Sequence, residues 1–429
     1  MEQILLKHTA PGRCLSFDEY RSVGGFSALS NALGSMTPAE VQQNVIDSGL
    51  RGRGGAGFPT GKKWSFMPRD LPGPRYLICN CDEMEPGTYK DRVLLERNPH
   101  LLVEGMALAC YALGVSHAFI FVRYGYEQAA DNLRQSIAAA ERSGFLGKNI
   151  LGSSFNLDLD VHQSAGRYIC GEETALINAL EGKRANPRAK PPFPAIKGLW
   201  GQPTVVNNVE TLANIPAIIN GGPLWWKSTA ATSEAAGTKL FCVSGHVANT
   251  DCFELPLGTT LGGIIDGPCG GMRPGSQFKA CIPGGASTPY FTAAHRDVPM
   301  DFDPVAKAGS RLGTGGIIVF DQNTCMVAVT LNLTRFFARE SCGWCTPCRE
   351  GLPFVRHTLE RIESGRGETR DIDILREHVR MLNYAFCALA PGAMGPVDGL
   401  LKHFGDELLE HITAHHCPFT KGHNRSERD

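Results

Sequence analysis

Cys342-Gly343-Trp344-Cys345-Thr346-Pro347-Cys348-Arg349 sets three thiols at equal spacing, two residues between neighbours. Thiolates so spaced can wrap one face of a cubane, and C-x2-C-x2-C is a familiar opening for a four-iron cluster. Structural zinc more often takes cysteines in separated pairs, which makes it the secondary reading. Gly343 and Pro347 break the segment, so three inert core cysteines do not suit it. The fourth thiol must come from elsewhere. Cys387, at the end of a helical pattern in Ala385-Phe386-Cys387-Ala388-Leu389, is the expected ligand. Cys417 is the alternative, with His415 and His416 offering a zinc set, although a thiol exposed in a mobile tail would guard an oxygen-sensitive cluster poorly.

A second stretch with chemical potential is Gly52-Arg53-Gly54-Gly55-Ala56-Gly57-Phe58-Pro59-Thr60-Gly61-Lys62-Lys63-Trp64-Ser65-Phe66. Its glycines let the backbone approach a ligand closely and aim N–H groups at an anion such as phosphate. Arg53, Lys62 and Lys63 could complete the neutralisation, and Phe58, Trp64 and Phe66 add flat surface suited to an aromatic ring. The loop is neither a Walker A motif nor a G-x-G-x-x-G fingerprint. Taken alone it reads equally well as a flexible turn. Asn80-Cys81-Asp82-Glu83-Met84-Glu85 gathers carboxylates and an amide that could accept hydrogen bonds from ribose or ribityl hydroxyls and ring N–H groups. Gly171-Glu172-Glu173-Thr174 and Asn207-Asn208 could do the same, or could simply cap the helices that follow.

These segments need elements to hold them. RYLICN, HAFIFVR and DLDVH read as strands alternating with helices at HLLVEGMALACYALG, YEQAADNLRQSIAAAERSG and GEETALINALEGKR, the pattern of an α/β layer with a largely parallel sheet. Ligands of such sheets bind beyond the carboxyl ends of the strands, here the loops after Asn80 and His162. One helix is expected in residues 1–50, begun by Thr37 and Pro38. The Pro-rich segment 186–201 must be extended and irregular. KLFCVSG, CFELPLG, QFKACIPGG and GGIIVFD surround a short helix near TTLGGIIDG, forming a small α+β domain. Beyond residue 323 four runs of helical spacing predict a bundle. The domains are therefore expected at 1–50 (an N-terminal arm), 51–236 (α/β), 237–322 (α+β) and 323–420 (helical), with 421–429 a disordered tail.

With 429 residues, 42% apolar and 20% charged, the chain has the composition of an ordinary soluble globular protein of several domains. A net charge of -1 provides no field for nucleic acid or an anionic membrane. No apolar run reaches membrane-span length, since Glu104 interrupts the nearest, and no export signal is visible, so neither nucleic-acid binding nor direct membrane insertion is expected. Fifteen cysteines, an odd number, then favour thiols, metal or redox chemistry over a disulfide framework, and a cytoplasmic location.

Taken together, Arg51-Gly-Arg-Gly-Gly-Ala-Gly-Phe-Pro-Thr-Gly61, Asn80-x-Asp-Glu83, Tyr168-Ile-Cys-Gly-Glu-Glu-Thr174, Val206-Asn-Asn-Val-Glu-Thr211 and Ser341-Cys-Gly-x-Cys-x-Pro-Cys-Arg349 resemble the NADH-binding FMN/iron–sulfur flavoprotein subunit of bacterial respiratory complex I. Order and spacing match over roughly residues 15 to 415. The resemblance implies an α/β FMN/NADH-binding domain that is not a classical Rossmann fold, then a β-grasp-like (ubiquitin-like) domain, then a helical bundle binding a [4Fe-4S] cluster. It places FMN against Gly52, Arg53, Gly54, Gly55, Ala56, Lys63, Val206, Asn207, Asn208 and Thr211, with Asn80, Asp82, Glu83, Gly171 and Glu172 at the isoalloxazine. NADH would stack among Phe58, Phe66 and Phe193 and meet Glu85, Tyr168, Glu173 and Lys190. The cluster would rest on Cys342, Cys345, Cys348 and Cys387. Cys81, Met84, Tyr124-Gly125 and Ser164 stand where this family usually has other residues.

The implied activity is hydride transfer from NADH to FMN by placement of two rings, with no catalytic side chain, followed by one-electron transfer to the cluster. Carboxylates at the nucleotide would favour NADH over NADPH. Electrons would leave through partners: the thioredoxin-like [2Fe-2S] subunit and the large iron–sulfur subunit of a proton-pumping NADH:quinone oxidoreductase, on the cytoplasmic face of the inner membrane. The alternatives are the diaphorase subunit of an NAD-linked hydrogenase or formate dehydrogenase and, further off, a non-enzymatic zinc scaffold.

Overall fold

Alternate residues along β1 (Tyr76–Cys81) feed two different cores: Leu77, Cys79 and Cys81 pack into one, Tyr76 and Ile78 into the other. The same holds along β2 (His117–Val122), where Ala118, Ile120 and Val122 oppose Phe119 and Phe121. Both faces are covered, as parallel strands require. The computed structural model describes residues 3–70 and 72–419; the expected tail at 421–429 lies outside them. β3 (Asp158–Gln163) and β4 (Thr204–Asn208) complete an all-parallel sheet of order β3-β2-β1-β4. β4 carries no strong strand signal of its own, and the sequence pattern leaves it as a helix cap. Its pairing with β1 sets Asn80 opposite Asn208 and brings the two polar loops to one sheet end.

The second sheet, order β6-β5-β9-β7-β8, is mixed. It comprises β5 (Thr238–Gly245), β6 (Asp251–Pro256), β7 (Phe278–Ile282), β8 (Phe291–Thr292) and β9 (Gly316–Asp321), with β5 and β9 parallel. One face packs on its own helix Leu261–Asp266, capped by Thr260. The other face joins the cores of the first sheet and of the helical region, through Leu240 and Cys242 on one side and Ala280 and Ile282 on the other.

Helices Met326–Glu340, Thr346–Glu363, Thr369–Leu382, Leu389–His403 and Gly405–Ala414 form the C-terminal bundle. The expected last helix is thus two, broken at Phe404. Helix Thr369–Leu382 stops short of Cys387, which lies in the turn before Leu389. The N-terminal arm also departs from expectation, with helices Phe17–Ser22 and Ser27–Ser35 before the expected one at Pro38–Asp47. Glu104, which interrupts the apolar run, is buried in helix Pro99–Leu113 and anchors this arm. It accepts hydrogen bonds from Tyr20 Oη at 2.5 Å, Phe26 N at 2.8 Å and Leu29 N at 3.2 Å. The Pro-rich segment contains a turn of helix, Pro194–Lys197, and a 3-10 turn, Leu199–Gly201. Among the described residues no helix is long and apolar enough to cross a membrane.

Candidate functional site

The glycine loop turns between Leu50 and helix Thr60–Ser65, closed by Gly52 N to Phe58 O at 2.9 Å. A Cβ on Gly54 would stand 3.0 Å from that of Asn208, and one on Gly57, at φ +64°, would strike the Phe302 ring at 2.3 Å. Close approach to the end of β4 and to the second domain therefore demands glycine here. The Arg53 main chain donates to Thr211 Oγ1 at 2.8 Å, linking the loop to the motif after β4. The Arg53 side chain corrects the sequence reading. Its guanidinium is fully buried and turned inward, donating to the carbonyls of Ala236 and Thr238 at 3.0 and 3.1 Å.

Lys63 Nζ donates to Val206 O at 2.8 Å and to Glu173 Oε2 at 2.7 Å. Lys190 Nζ reaches Glu173 Oε1 at 3.2 Å and Glu172 Oε1 at 2.9 Å. Burial by itself would raise the Glu173 carboxyl, but the two lysines outweigh it and hold the group below its ordinary range. Glu172 also caps helix Glu173–Leu180 through Thr174 N and Ala175 N, so capping and the ion pair with Lys190 fall to one side chain. At Gly171 a Cβ would meet nothing within 4 Å, leaving that backbone open to a ligand.

Beyond β1, Asn80 braces the loop, donating to Cys170 O at 3.1 Å and accepting from Asp82 N at 3.0 Å. Asp82 accepts the Ser164 hydroxyl at 3.0 Å, which gives the serine a specific partner, and burial lifts its carboxyl to about 6. Cys81 faces the helix-side core. Glu83 does not present its carboxylate to the open site. It caps helix Lys90–Arg97 through Asp91 N and Arg92 N at 3.1 and 3.2 Å and accepts Tyr126 Oη at 3.1 Å. Burial first, then Asp91, raise it to about 7. Asn208 is likewise engaged internally, capping Glu210 N and bonding Lys90 and Asp91. Asn207 Oδ1 accepts the Trp64 indole N–H at 2.8 Å.

Glu85 accepts Tyr168 Oη at 2.6 Å and Ser287 N at 2.7 Å. Phe58 and Phe66 meet with ring centroids 6.1 Å apart and, with Phe193, remain 44%, 50% and 57% exposed. Exposed rings and partly buried carboxylates are what a partly apolar, partly polyhydroxylated ligand needs. Sequence reasoning missed Lys90, Glu210 and Lys239, a buried ion network beneath the loop with Lys90–Glu210 at 3.1 Å and Lys239–Glu210 at 3.3 Å. Glu210 was visible inside the Asn-Asn-Val-Glu motif, but its partners come from other elements.

The thiols of Cys342, Cys345 and Cys387 all act electrostatically on Cys348, and those of Cys342 and Cys345 act on Cys387 together with Glu172. Burial is the main cause that lifts both thiols, Cys348 to about 11. Cys345 stands at the N-terminal boundary of helix Thr346–Glu363, and Gly343, at φ +77°, lets the loop turn back on Ser341 Oγ, 3.2 Å from Cys348 Sγ. Cys417 corrects the alternative reading: it is buried and shares a separate site with Cys325, Glu363 and His411, while His415 and His416 are exposed. Among the described residues that separate group alone has ligand atoms all within 4.8 Å of one another. A single tetrahedral ion needs such closeness.

Residues 45–217 match the Nuo51 FMN-binding domain, 240–291 an SLBB domain, and 328–411 the NADH-ubiquinone oxidoreductase-F iron-sulfur binding region. The last span contains Cys342, Cys345, Cys348 and Cys387 and ends before Cys417. The F subunit of the NADH-quinone oxidoreductase of Escherichia coli is 53% identical over 95% of this chain and 91% of its own. The second F subunit of the Rhizobium meliloti enzyme is 48% identical over 97% and 99%. The fold resembles a chain of an NAD+-reducing [NiFe]-hydrogenase in the H2-reduced state, with TM-score 0.80 and 38% identity over 92% of this chain and 65% of that one.

Proposed function

Because the chain belongs to the family of NADH-quinone oxidoreductase F subunits, we propose how its own residues divide the work of NADH oxidation. FMN, when bound, would supply a hydride acceptor for NADH, and a [4Fe-4S] cluster would supply one-electron transfer. The glycine loop, Lys63, Val206 O and the main chain around Thr211 hold the flavin phosphate and ribityl chain. Asn80, Asp82, Gly171 and Glu172 frame the ring, with Glu83 contributing its backbone and not its carboxylate. Phe58, Phe66 and Phe193 supply the apolar wall for NADH, and Glu85, Tyr168, Glu173 and Lys190 its polar contacts. No side chain need donate or accept a proton; the residues place two rings in contact and exclude water.

Cys342, Cys345, Cys348 and Cys387 hold the cluster in this reading. One observation carries it: Tyr168 N donates to Glu340 Oε2 at 3.2 Å and Arg167 Nη2 to Ser341 O at 3.5 Å, joining the turn that leads to the open Gly171 backbone to the segment that opens the cysteine loop. The flavin frame and the cluster ligands thus share a wall, which suits short-range electron transfer. The experiment is reconstitution of the purified chain with FMN, iron and sulfide, followed by NADH-dependent ferricyanide reduction. A colourless, inactive product would overturn the assignment.

As a member of the F-subunit family the chain works with other subunits of its complex. The proposed neighbours are the thioredoxin-like [2Fe-2S] subunit and the large iron–sulfur subunit of the peripheral arm, on the cytoplasmic face of the inner membrane, with proton translocation in the full complex. Likeness to hydrogenase chains supports a second reading, the diaphorase of an NAD-linked hydrogenase. Identity of 53% over most of the Escherichia coli F subunit, against 38% over 65% of the hydrogenase chain, favours the first. Co-purification with quinone-reductase subunits or with a hydrogenase decides between them.

A further inference from the structure

At the end of the bundle away from the C-x2-C-x2-C loop, four potential ligands from separate elements converge. Cys325 caps helix Met326–Glu340, Glu363 ends helix Thr346–Glu363, His411 lies in helix Gly405–Ala414, and Cys417 follows that helix beyond the left-handed His415. Cys325 Sγ is 3.3 Å from His411 Nε2 and 3.7 Å from Glu363 Oε2, and His411 Nε2 is 3.2 Å from Glu363 Oε2. With Cys417 Sγ included, all ligand atoms lie within 4.8 Å of one another. A tetrahedral zinc with bonds of roughly 2.0–2.3 Å spaces its donor atoms about 3.3–3.8 Å apart, in agreement with these separations.

We propose that Cys325, Glu363, His411 and Cys417 bind one structural zinc ion. His411 Nδ1 lies 2.6 Å from the Glu407 carbonyl, so this nitrogen carries the proton and Nε2 turns its lone pair to the thiols and carboxylate. The Glu407 carboxylate is bonded separately, by Lys279 at 2.6 Å and by Met326 N at 3.1 Å, which ties the last helix to helix Met326–Glu340 and to β7. His411 is fully buried and Cys417 is 3% exposed, as a closed structural site requires. All four coordination positions are filled by protein, which leaves none for substrate. The helix that starts beside Cys345 and ends at Glu363 is 18 residues, roughly 27 Å, long. The zinc therefore stands far from the cluster and, having no redox chemistry, acts by tying the last helix and the segment after it to the helix that carries Cys348.

The test is elemental analysis of the full chain in its flavin- and iron-loaded form, purified with zinc in the medium. One zinc per chain is expected. It should persist in a Cys345→Ser/Cys348→Ser variant that loses iron, and vanish from a Cys325→Ser/Cys417→Ser variant that keeps iron and FMN. Should the latter fail to fold, cobalt loading of the unsubstituted chain serves instead, read by a thiolate-to-cobalt absorption band with intense tetrahedral ligand-field bands. Absence of zinc from the unsubstituted chain together with no cobalt band overturns the proposal. So does zinc that departs with Cys345 and Cys348.

Discussion

Tyr168 donates a 2.6 Å hydrogen bond to Glu85, and through it the turn before helix Glu173–Leu180 is tied to the loop after β1. The second Glu85 oxygen takes Ser287 N from the second sheet's domain, so one carboxylate joins three parts of the chain. Burial raises this carboxyl above its ordinary value although Tyr168 and Ser287 both favour the charged form. Tyr168→Phe removes a hydrogen bond to a half-buried charged acceptor, a loss of about 1.5–3 kcal/mol. The KM for NADH is expected to rise roughly 10- to 100-fold, with kcat and FMN content little changed. An unchanged KM would remove both residues from the nucleotide site.

Cys387→Ser and Cys417→Ser separate the two cysteine groups. The first should strip the [4Fe-4S] signal from the electron paramagnetic resonance spectrum of the reduced protein and leave bound FMN. The second should leave that signal intact. Loss of cluster from Cys417→Ser with retention in Cys387→Ser would reverse the ligand assignment.

Lys63 bridges Val206 O and Glu173, which fixes its ammonium between β4 and the helix that begins at Glu173. Lys63→Met should weaken FMN retention at least tenfold, measured by flavin fluorescence after gel filtration, since an uncompensated phosphate costs well over about 1.4 kcal/mol. The Glu173 carboxyl, held below its usual value, contributes stability above pH 4.5 that is lost as pH falls through its lowered native value. Flavin release by acid should therefore begin at higher pH in the variant, where only Lys190 supports the carboxylate.

Asp82 behaves in the opposite sense. Its carboxyl ordinarily titrates at 3.8 and is lifted to about 6 by burial. Below pH 3.8 it is neutral in both states and contributes nothing. As pH rises from there to about 6 the unfolded chain releases the proton first, so native stability falls, by roughly 3 kcal/mol at most. Asp82→Asn should flatten this decline in denaturant titrations of the flavin-free chain between about pH 4 and 6. An unaltered slope would show that Asp82 ionises normally in the native state.

Lys239 and Glu210 are fully buried and 3.3 Å apart, joining β5 to the segment after β4. Removing one partner of a buried pair costs about 3–5 kcal/mol because the other charge stays behind. Glu210 keeps Lys90 at 3.1 Å when Lys239 is lost, so Lys239→Met should lower the unfolding free energy in urea titration by less than that, whereas Glu210→Gln, which strands Lys239, should cost the full amount.

Motif spacing, turn composition and periodicity lie within short stretches of chain, and for that reason the sequence by itself determined the C-x2-C-x2-C loop, the glycine loop, three parallel strands, the small mixed domain and the helical bundle. Side-chain direction does not follow from spacing. Arg53, Glu83 and Asn208 each sit in a recognisable motif, yet each turns its side chain inward, because burial in this packing leaves a charge or amide no choice but a nearby partner. β4 could be recognised only once β1 offered it an unpaired edge, and that pairing is what sets Asn80 beside Asn208. The partners of Cys387 and Cys417 are residues distant in sequence, decided by how the last helices fold back on Thr346–Glu363. The thiols themselves are local information; which of them are brought near one another is tertiary.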